Sequence, residues 1–325
     1  MKAILIAAFS LAFASSCFSQ KNSINDIVRL NKGKTIYDLD VSKGRTMLAY
    51  GVGNRVVILN PDNIDDSTGI AVPDKVTSID ISEDSSKVTF GTMTGKVGII
   101  DIKSKTIEGV FTPHKEVVTS ARLINGNKGI VSSSYDSNLC YTDTESKATT
   151  IIQKFEKEIN SIAVQDSLLQ FITIGGDGML NVWNSKNLQS IGKMKVDNSW
   201  GRDLVYWSNK RISTCGDAGT IRTINIGNPS MPYEEEKEKH VLSRIYSIDI
   251  LSSRYGNISA STDNYGKVKV KCNIAFNESV YGHNINDLTY KIRFIGNSES
   301  LIVAVATQKN GLYIIPVSKM STLKL

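Results

Sequence analysis

From Thr35 onward the chain repeats one pattern. Short runs rich in β-branched and aromatic residues are broken by clusters of Gly, Asp, Asn, Ser and Lys. The segment from Lys75 shows it best, as KVTSIDIS, KVTFGT, KVGIIDI and TIEGVF separated by EDSS, MTG and KSK. Val, Ile, Thr and Phe suit a pleated, packed surface, and the intervening residues suit tight turns. The pattern predicts four short antiparallel strands in succession. Apolar residues do not alternate strictly with polar ones, as expected of sheets buried on both faces.

The same sentence recurs along the chain. It reads TIYDLDVS, TMLAYG and RVVILN from Thr35 to Asn60, VTSARLI, GIVSSS and NLCYTD from Val118 to Asp143, and INSIAV, LQFITIGGDG and MLNVWN from Ile159 to Asn184. It continues as RDLVYW, KRISTCGDAG and TIRTIN, then IYSIDI, NISASTDNYG and KVKVKC, and last YKIRFI, LIVAVATQKNG and LYIIPV, ending at Val317. A turn after each second strand acts as a ruler. Asn54, Thr94, Asp136, Asp177, Asp217 and Asp263 fall about 40, 42, 41, 40 and 46 residues apart, the spacing of propeller blades, and Asn310 follows in the last copy. Asp and Asn serve such turns by bonding the local backbone. The expected fold is all-β, one seven-bladed β-propeller of four-stranded antiparallel blades over residues 20–325, with blades starting near 35, 75, 116, 158, 200, 244 and 287.

These copies resemble the WD-repeat family over nearly the whole repeat region. That family places a His before the first strand, a Ser or Thr in the second, an Asp in the turn and Trp-Asp at the end of the third. His114, His240 and Gly282-His283 occupy or lie near the first place, and the third-strand ending degenerates to Ile100-Asp101, Thr142-Asp143, Trp183-Asn184 and Ile224-Asn225. No blade has the whole four-residue network. Bacterial repeat propellers ending in Val-Ile-Asp are nearly as similar to KVGIID. The resemblance implies a scaffold with a protein or peptide partner.

A ring of blades needs its first and last members joined, or it leaves an open sheet edge. Ile24–Asn31 reads as an outer strand with no blade of its own, while the last copy reaches only its third strand before a polar tail from Ser318. The N-terminal strand is therefore expected to complete the seventh blade. The charge run from Tyr233 to His240 reads as a solvated outer strand or loop of blade five, and Asp62, Asp65 and Asp66 as an acidic loop without calcium-site spacing.

Ahead of the repeats, Met1-Lys2, an apolar stretch from Ala3 to Ala14 and small residues up to Gln20 read as a secretory signal peptide over residues 1–19. Its apolar core is about 12 residues, too short for a membrane span of roughly 20. Cleavage near Ser19 is favoured over cleavage after Ala14 or lipoprotein processing at Cys17, and the protein is expected to be exported, periplasmic or secreted. Cys140, Cys215 and Cys272 form neither a disulfide framework nor a zinc pattern and read as small strand residues. The net charge is +6 with lysines scattered, which gives no nucleic-acid footprint.

No nucleophile elbow, P-loop, zinc-protease motif or dinucleotide fingerprint is present, and Gly175-Gly176-Asp177-Gly178 falls in the blade-four turn. No catalytic, cofactor or metal residue is assigned. Each first strand begins at the mouth of the central channel, at Tyr37, Thr77, Thr119, Asn160, Arg202, Tyr246 and Tyr290. None of these is acidic, which disfavours the alternative of a propeller hydrolase or lactonase with a channel metal. Around a closed ring Tyr246, Tyr290 and Tyr37 are contiguous, and Trp200 and Arg202 extend the patch. Tyr, Trp and Arg dominate interface hot spots. The sequence thus predicts a non-catalytic scaffold, a monomer or one subunit of a complex, in a bacterial envelope or outside the cell, that holds its partner there.

Overall fold

Seven antiparallel sheets stand around one axis, six of four strands and one of five. The coordinates come from a computed structural model that describes residues 26–208, 211–226, 236–239, 243–253, 256–274, 277–296 and 301–323. The leader with Cys17, residues 233–235 and His240 lie outside them. Blade two is typical: Val76–Ile81, Lys87–Thr92, Val97–Asp101 and Thr106–Phe111 follow one another and pair in that order.

The first strands are innermost. Each touches the first strands of both neighbouring blades, and Leu39–Val41 of blade one touches Thr289–Ile295 of blade seven, so the ring is closed. One apolar cluster fills each space between blades. At the seam Ile36, Leu39 and Leu48 of blade one pack on Ile302, Ala304 and Ile314 of blade seven, a dry contact like the other six. Such burial on both sheet faces is why the strands need not alternate.

The N-terminal strand Val28–Leu30 is the outer strand of blade seven, with Val28 opposite Ile314 and Leu30 opposite Leu312. Arg29 donates Nε–H to the Asn310 carbonyl at 2.7 Å and lies over the Tyr313 ring. The polar tail departs from the sequence expectation. After a single turn, Val317–Lys319, the chain crosses to blade six and adds Ser321–Leu323 as a fifth strand beside Asn277–Asn284. Met320 is buried in the cluster between blades six and seven. A Cβ on Gly282 would stand 2.8 Å from Leu323 Cδ1, so this glycine makes room for the crossing. Three strand residues are too few to show a pattern in sequence.

Two further readings change. Asp62, Asp65 and Asp66 do not form a loop of their own: Asp65 and Asp66 lie in the outer strand of blade one, Asn63–Ala71, and Asp62 is in the turn ahead of it. His283 is not in the loop before blade seven but within the outer strand of blade six, opposite Val268. Glu236–Lys239 pairs as the outer strand of blade five.

The WD-type network survives in parts. In blade three His114 Nδ1 faces Asp136 at 3.2 Å, and since a carboxylate only accepts, the proton is assigned to Nδ1 while Nε2 accepts the Ser132 hydroxyl at 2.8 Å. Burial lowers the His114 pKa and outweighs Asp136, keeping the ring neutral. Blade three has Thr142 where a Trp would close the network. Blade four has that Trp, with Trp183 Nε1 donating to Thr173 Oγ1 at 3.1 Å, but no His.

Candidate binding face at the channel mouth

In six blades the pairing of first and second strands shifts register by one residue at the mouth, between Val76 and Ser78, Val118 and Ser120, Ile159 and Ser161, Gly201 and Asp203, Ile245 and Ser247, and Thr289 and Lys291. The skipped residues are Thr77, Thr119, Asn160, Arg202, Tyr246 and Tyr290. A bulge inserts one unpaired residue and re-aims its side chain. Two successive residues per blade therefore serve the channel, one at its rim and one below.

The lower tier is Asp38, Ser78, Ser120, Ser161, Asp203, Ser247 and Lys291, all buried. Its acceptors bind backbone N–H groups of the next blade: Asp38 takes Ile79, Ser78 takes Ala121, Ser120 takes Ile162, Asp203 takes Ile248 and Ser247 takes Ile292. An ammonium cannot accept. At the seam, where Lys291 stands, Leu39 N–H instead binds Asp38 of its own blade.

Deeper still, charge fills the channel. The expectation of a channel without acid is corrected, because the residue after each rim residue also turns inward and at Asp38 and Asp203 it is an acid. Lys291 Nζ is 2.8 Å from Asp203 Oδ1, and Arg293 Nη1 is 3.4 Å from Asp203 Oδ2. Arg293 also approaches Asp40, Arg122 approaches Asp80, and Arg45 Nη1 pairs with Asp249 at 2.7 Å. Burial opposes ionisation of Asp203, yet Lys291 and Arg293 outweigh it and hold the carboxyl well below the usual range. At Asp80 burial wins, reinforced by Asp40 and Asp38 against Arg122, and the carboxyl is held far above that range. Among the described residues no three His, Cys, Asp or Glu are grouped to hold a metal ion. Cys140, Cys215 and Cys272 are free, and burial pushes the Cys140 thiol up to about 12 and Cys272 to about 11.

At the rim the five residues singled out in sequence form two contacting groups, Tyr37 with Tyr290 and Arg202 with Tyr246 and Trp200. Tyr37 and Tyr290 have ring centroids 5.2 Å apart. The Arg202 guanidinium lies 4.2 Å from the Tyr246 ring centre and 5.5 Å from that of Trp200. Arg202 donates Nη2–H to Asp217 Oδ2 at 3.1 Å and Nε–H to Oδ1. Burial works against its charge, but the Asp217 contact outweighs it and raises its pKa. Burial, with Tyr37 and Tyr246 nearby, pushes the Tyr290 hydroxyl up to about 12.

Sequence reasoning missed three members. Lys75 donates to the Tyr37 hydroxyl at 3.2 Å and lies over its ring. Tyr135, in the blade-three turn, is 52% exposed, and its hydroxyl is raised by burial first, with Arg202 opposing and Glu158 adding. Glu158 precedes the first strand of blade four. Lys75 and Glu158 hold the place in their blades that Trp200 holds in blade five, each carbonyl accepting an N–H from the turn after the second strand, and Tyr135 lies in that turn, but the residue type changes from blade to blade and marked none of them.

The four turn aspartates separate into two kinds. Asp136 accepts N–H of Asn138, and Asp177 that of Met179, two residues on in each case. Pairing places Asp217 one position and Asp263 two positions earlier in their turns. Asp217 faces Arg202, while buried Asp263 accepts N–H from Tyr265 and Lys267.

A closed ring of seven antiparallel blades around a packed channel defines a seven-bladed β-propeller fold. Solved structures with this fold include the β-propeller domain of Cps50 (Swd1) from Myceliophteria thermophila, with a TM-score of 0.75 at 13% identity over 91% of this chain and 99% of that one. The WD40 β-propeller domain of Doa1 superposes with a TM-score of 0.68 at 14% identity, covering 91% of this chain and 95% of that one. U3-55K gives 0.71 at 13%, covering 91% and 100%. No family model and no curated protein matches the sequence. The likeness is one of fold.

Proposed function

We propose that this protein is a non-catalytic, exported propeller scaffold that holds a protein or peptide partner at the rim of its channel. The observation that carries the reading is the aromatic sector of blades five, six, seven and one, where Trp200, Arg202 and Tyr246 hold one another and Tyr290 holds Tyr37. Binding there orders few new rotamers, which lowers the entropic cost of association. Trp200 is 39% exposed and supplies apolar area at the edge of the sector. The scaffold reading agrees with the fold shared with these solved propellers.

The competing reading, a channel metal serving hydrolysis, gains nothing from the acids found below the rim. Asp203 is engaged by Lys291, Arg293, Ser247 and the Leu204 N–H, and Asp249 by Arg45 and the Phe294 N–H. Export rests on the leader pattern of residues 1–19.

Crosslinked capture from native membrane and soluble fractions, with mass analysis of the mature N-terminus, tests both parts. The Tyr246→Ala/Tyr290→Ala protein is expected to lose the captured partner while unfolding at the parent temperature. Undiminished capture overturns the assignment of the rim, and an intact Met1 in the purified native protein overturns export.

A further inference from the structure

Where blades four and five meet at the rim, the chain leaves a crease with a carboxylate in it. Gly176 forms the floor, its N–H donating to the Glu158 carbonyl at 2.9 Å. The point a Cβ would occupy on Gly176 lies 2.5 Å from Glu158 Oε1 and 3.5 Å from Trp200 Cε2, so the carboxylate packs onto this glycine beside the indole in room that only glycine leaves it. Glu158 Oε1 is buried and has no hydrogen-bond partner among the described residues. The nearby Tyr135 phenol is close enough to respond to both Glu158 and Arg202.

A buried carboxylate oxygen without a donor is costly, and such atoms call for a specific explanation. Arg202 does not supply the donor. Two of its N–H groups are held by Asp217, and its plane is stacked on Tyr246 and Trp200. Aromatic faces beside an unpaired acid favour a cation with N–H donors, because ring quadrupole and carboxylate act with the same sign.

We infer that the Glu158–Gly176–Trp200 crease takes one basic side chain, a guanidinium or ammonium group, from an extended segment of the partner. This rests on the rim being the partner-binding face and adds the chemistry of its anchor. Recognition is by charge-assisted hydrogen bonds to Glu158 with the aliphatic stem of the ligand along the Trp200 ring.

The probe is acetyl-Ala-Arg-Ala-amide, compared with its lysine and citrulline counterparts on the full chain. The readout is the indole N–H resonance of Trp200, assigned by its loss in Trp200→Phe. Saturable shifts are expected with the arginine or lysine peptide and none with citrulline, which keeps the shape without the charge. Glu158→Gln should weaken the interaction about tenfold or more, the worth of a charge-assisted bond. Gly176→Ala should do the same without altering any charge, since the new methyl displaces the carboxylate. Both variants should unfold at the parent temperature, which separates a lost site from a lost fold. Equal response to citrulline and arginine, or unchanged affinity in Glu158→Gln, overturns the inference. Capture of the native partner tells the two levels apart. Capture lost in Tyr246→Ala/Tyr290→Ala but retained in Glu158→Gln leaves the rim standing and removes the cation anchor. Capture retained in the tyrosine variant, with arginine still titrating Trp200, does the reverse.

Discussion

Lys291 on blade seven reaches past blade six to place its ammonium 2.8 Å from Asp203 on blade five. Blades that share no sheet and no apolar cluster are thereby joined through the channel. Asp203 also accepts the Ser247 hydroxyl of blade six at 2.6 Å and the Ser161 hydroxyl of blade four at 3.2 Å, so four blades meet on one carboxylate.

Removing one partner of this buried pair should be expensive. Lys291→Met leaves Asp203 buried with Arg293 as its nearest remaining cation, at a cost of about 3 kcal/mol in urea unfolding. The pH profile carries a signature. Because the folded pKa of Asp203 is depressed, its contribution is present above the unfolded value and lost as pH falls through the folded one. Lys291→Met raises the folded value, so the acid limb of the melting curve should move to higher pH. An unmoved limb would show that Arg293 alone sets the charge of Asp203.

Asp80 works in the opposite sense. Its folded pKa is raised, first by burial, so the native state binds more protons than the unfolded chain above the ordinary carboxylate value of about 3.9. Stability should therefore fall as pH rises from there through the raised value. Asp80→Asn keeps an oxygen for the Leu123 N–H and removes the charge, so it should flatten this decline. Melting temperatures at closely spaced pH values decide it.

Ring closure can be weakened in steps. Arg29→Ala loses the bond to the Asn310 carbonyl and the contact with Tyr313, together worth about 1–2 kcal/mol. Deleting the chain through Asn31 removes the whole outer strand of blade seven with Val28 and Leu30 and should lower the melting temperature much further. A deletion variant as stable as Arg29→Ala would mean that the strand contributes nothing beyond that one side chain.

The added strand on blade six offers a local test. Gly282→Val should expel Leu323, and amide exchange should accelerate at Ser321–Leu323 with little change in global unfolding. If exchange there is unchanged, packing of Met320 holds the tail without Leu323.

Period and strand composition made the ring legible in sequence, because each copy had to bury the same two faces. The rim residues could be named for the same reason, as one place in a repeated strand. What could not be read came from pairing geometry. A bulge at Thr77 or Tyr246 has no signature in residue types, so the buried acids one step further on, such as Asp38 and Asp203, were not assigned to the channel. Turn residues also slid: Asp263 still accepts N–H groups of its turn from two positions earlier, Asp217 binds Arg202 instead, and a ruler built on residue identity counted all four alike. Glu158 and Tyr135 stand at places that recur from blade to blade, but those places hold Lys, Val, Glu and Trp, or Met, Tyr, Gly and Asp, in turn, so no residue type marks them.

The bulged first strands have a consequence for how such a surface can change over time. Alternate duties fall on adjacent residues: Tyr246 meets the outside, and Ser247 ties blade six to blade seven. Replacing Tyr246 leaves that tie untouched, so lineages descended from this protein can acquire new partners by drift at 246 and 290. Thr77, Thr119 and Asn160 instead bond a carbonyl of the next blade, and they should stay polar along with the small hydroxylated residues 78, 120 and 161. A comparison of homologues would then show variability confined to one sector of the ring, with each free site beside a fixed one.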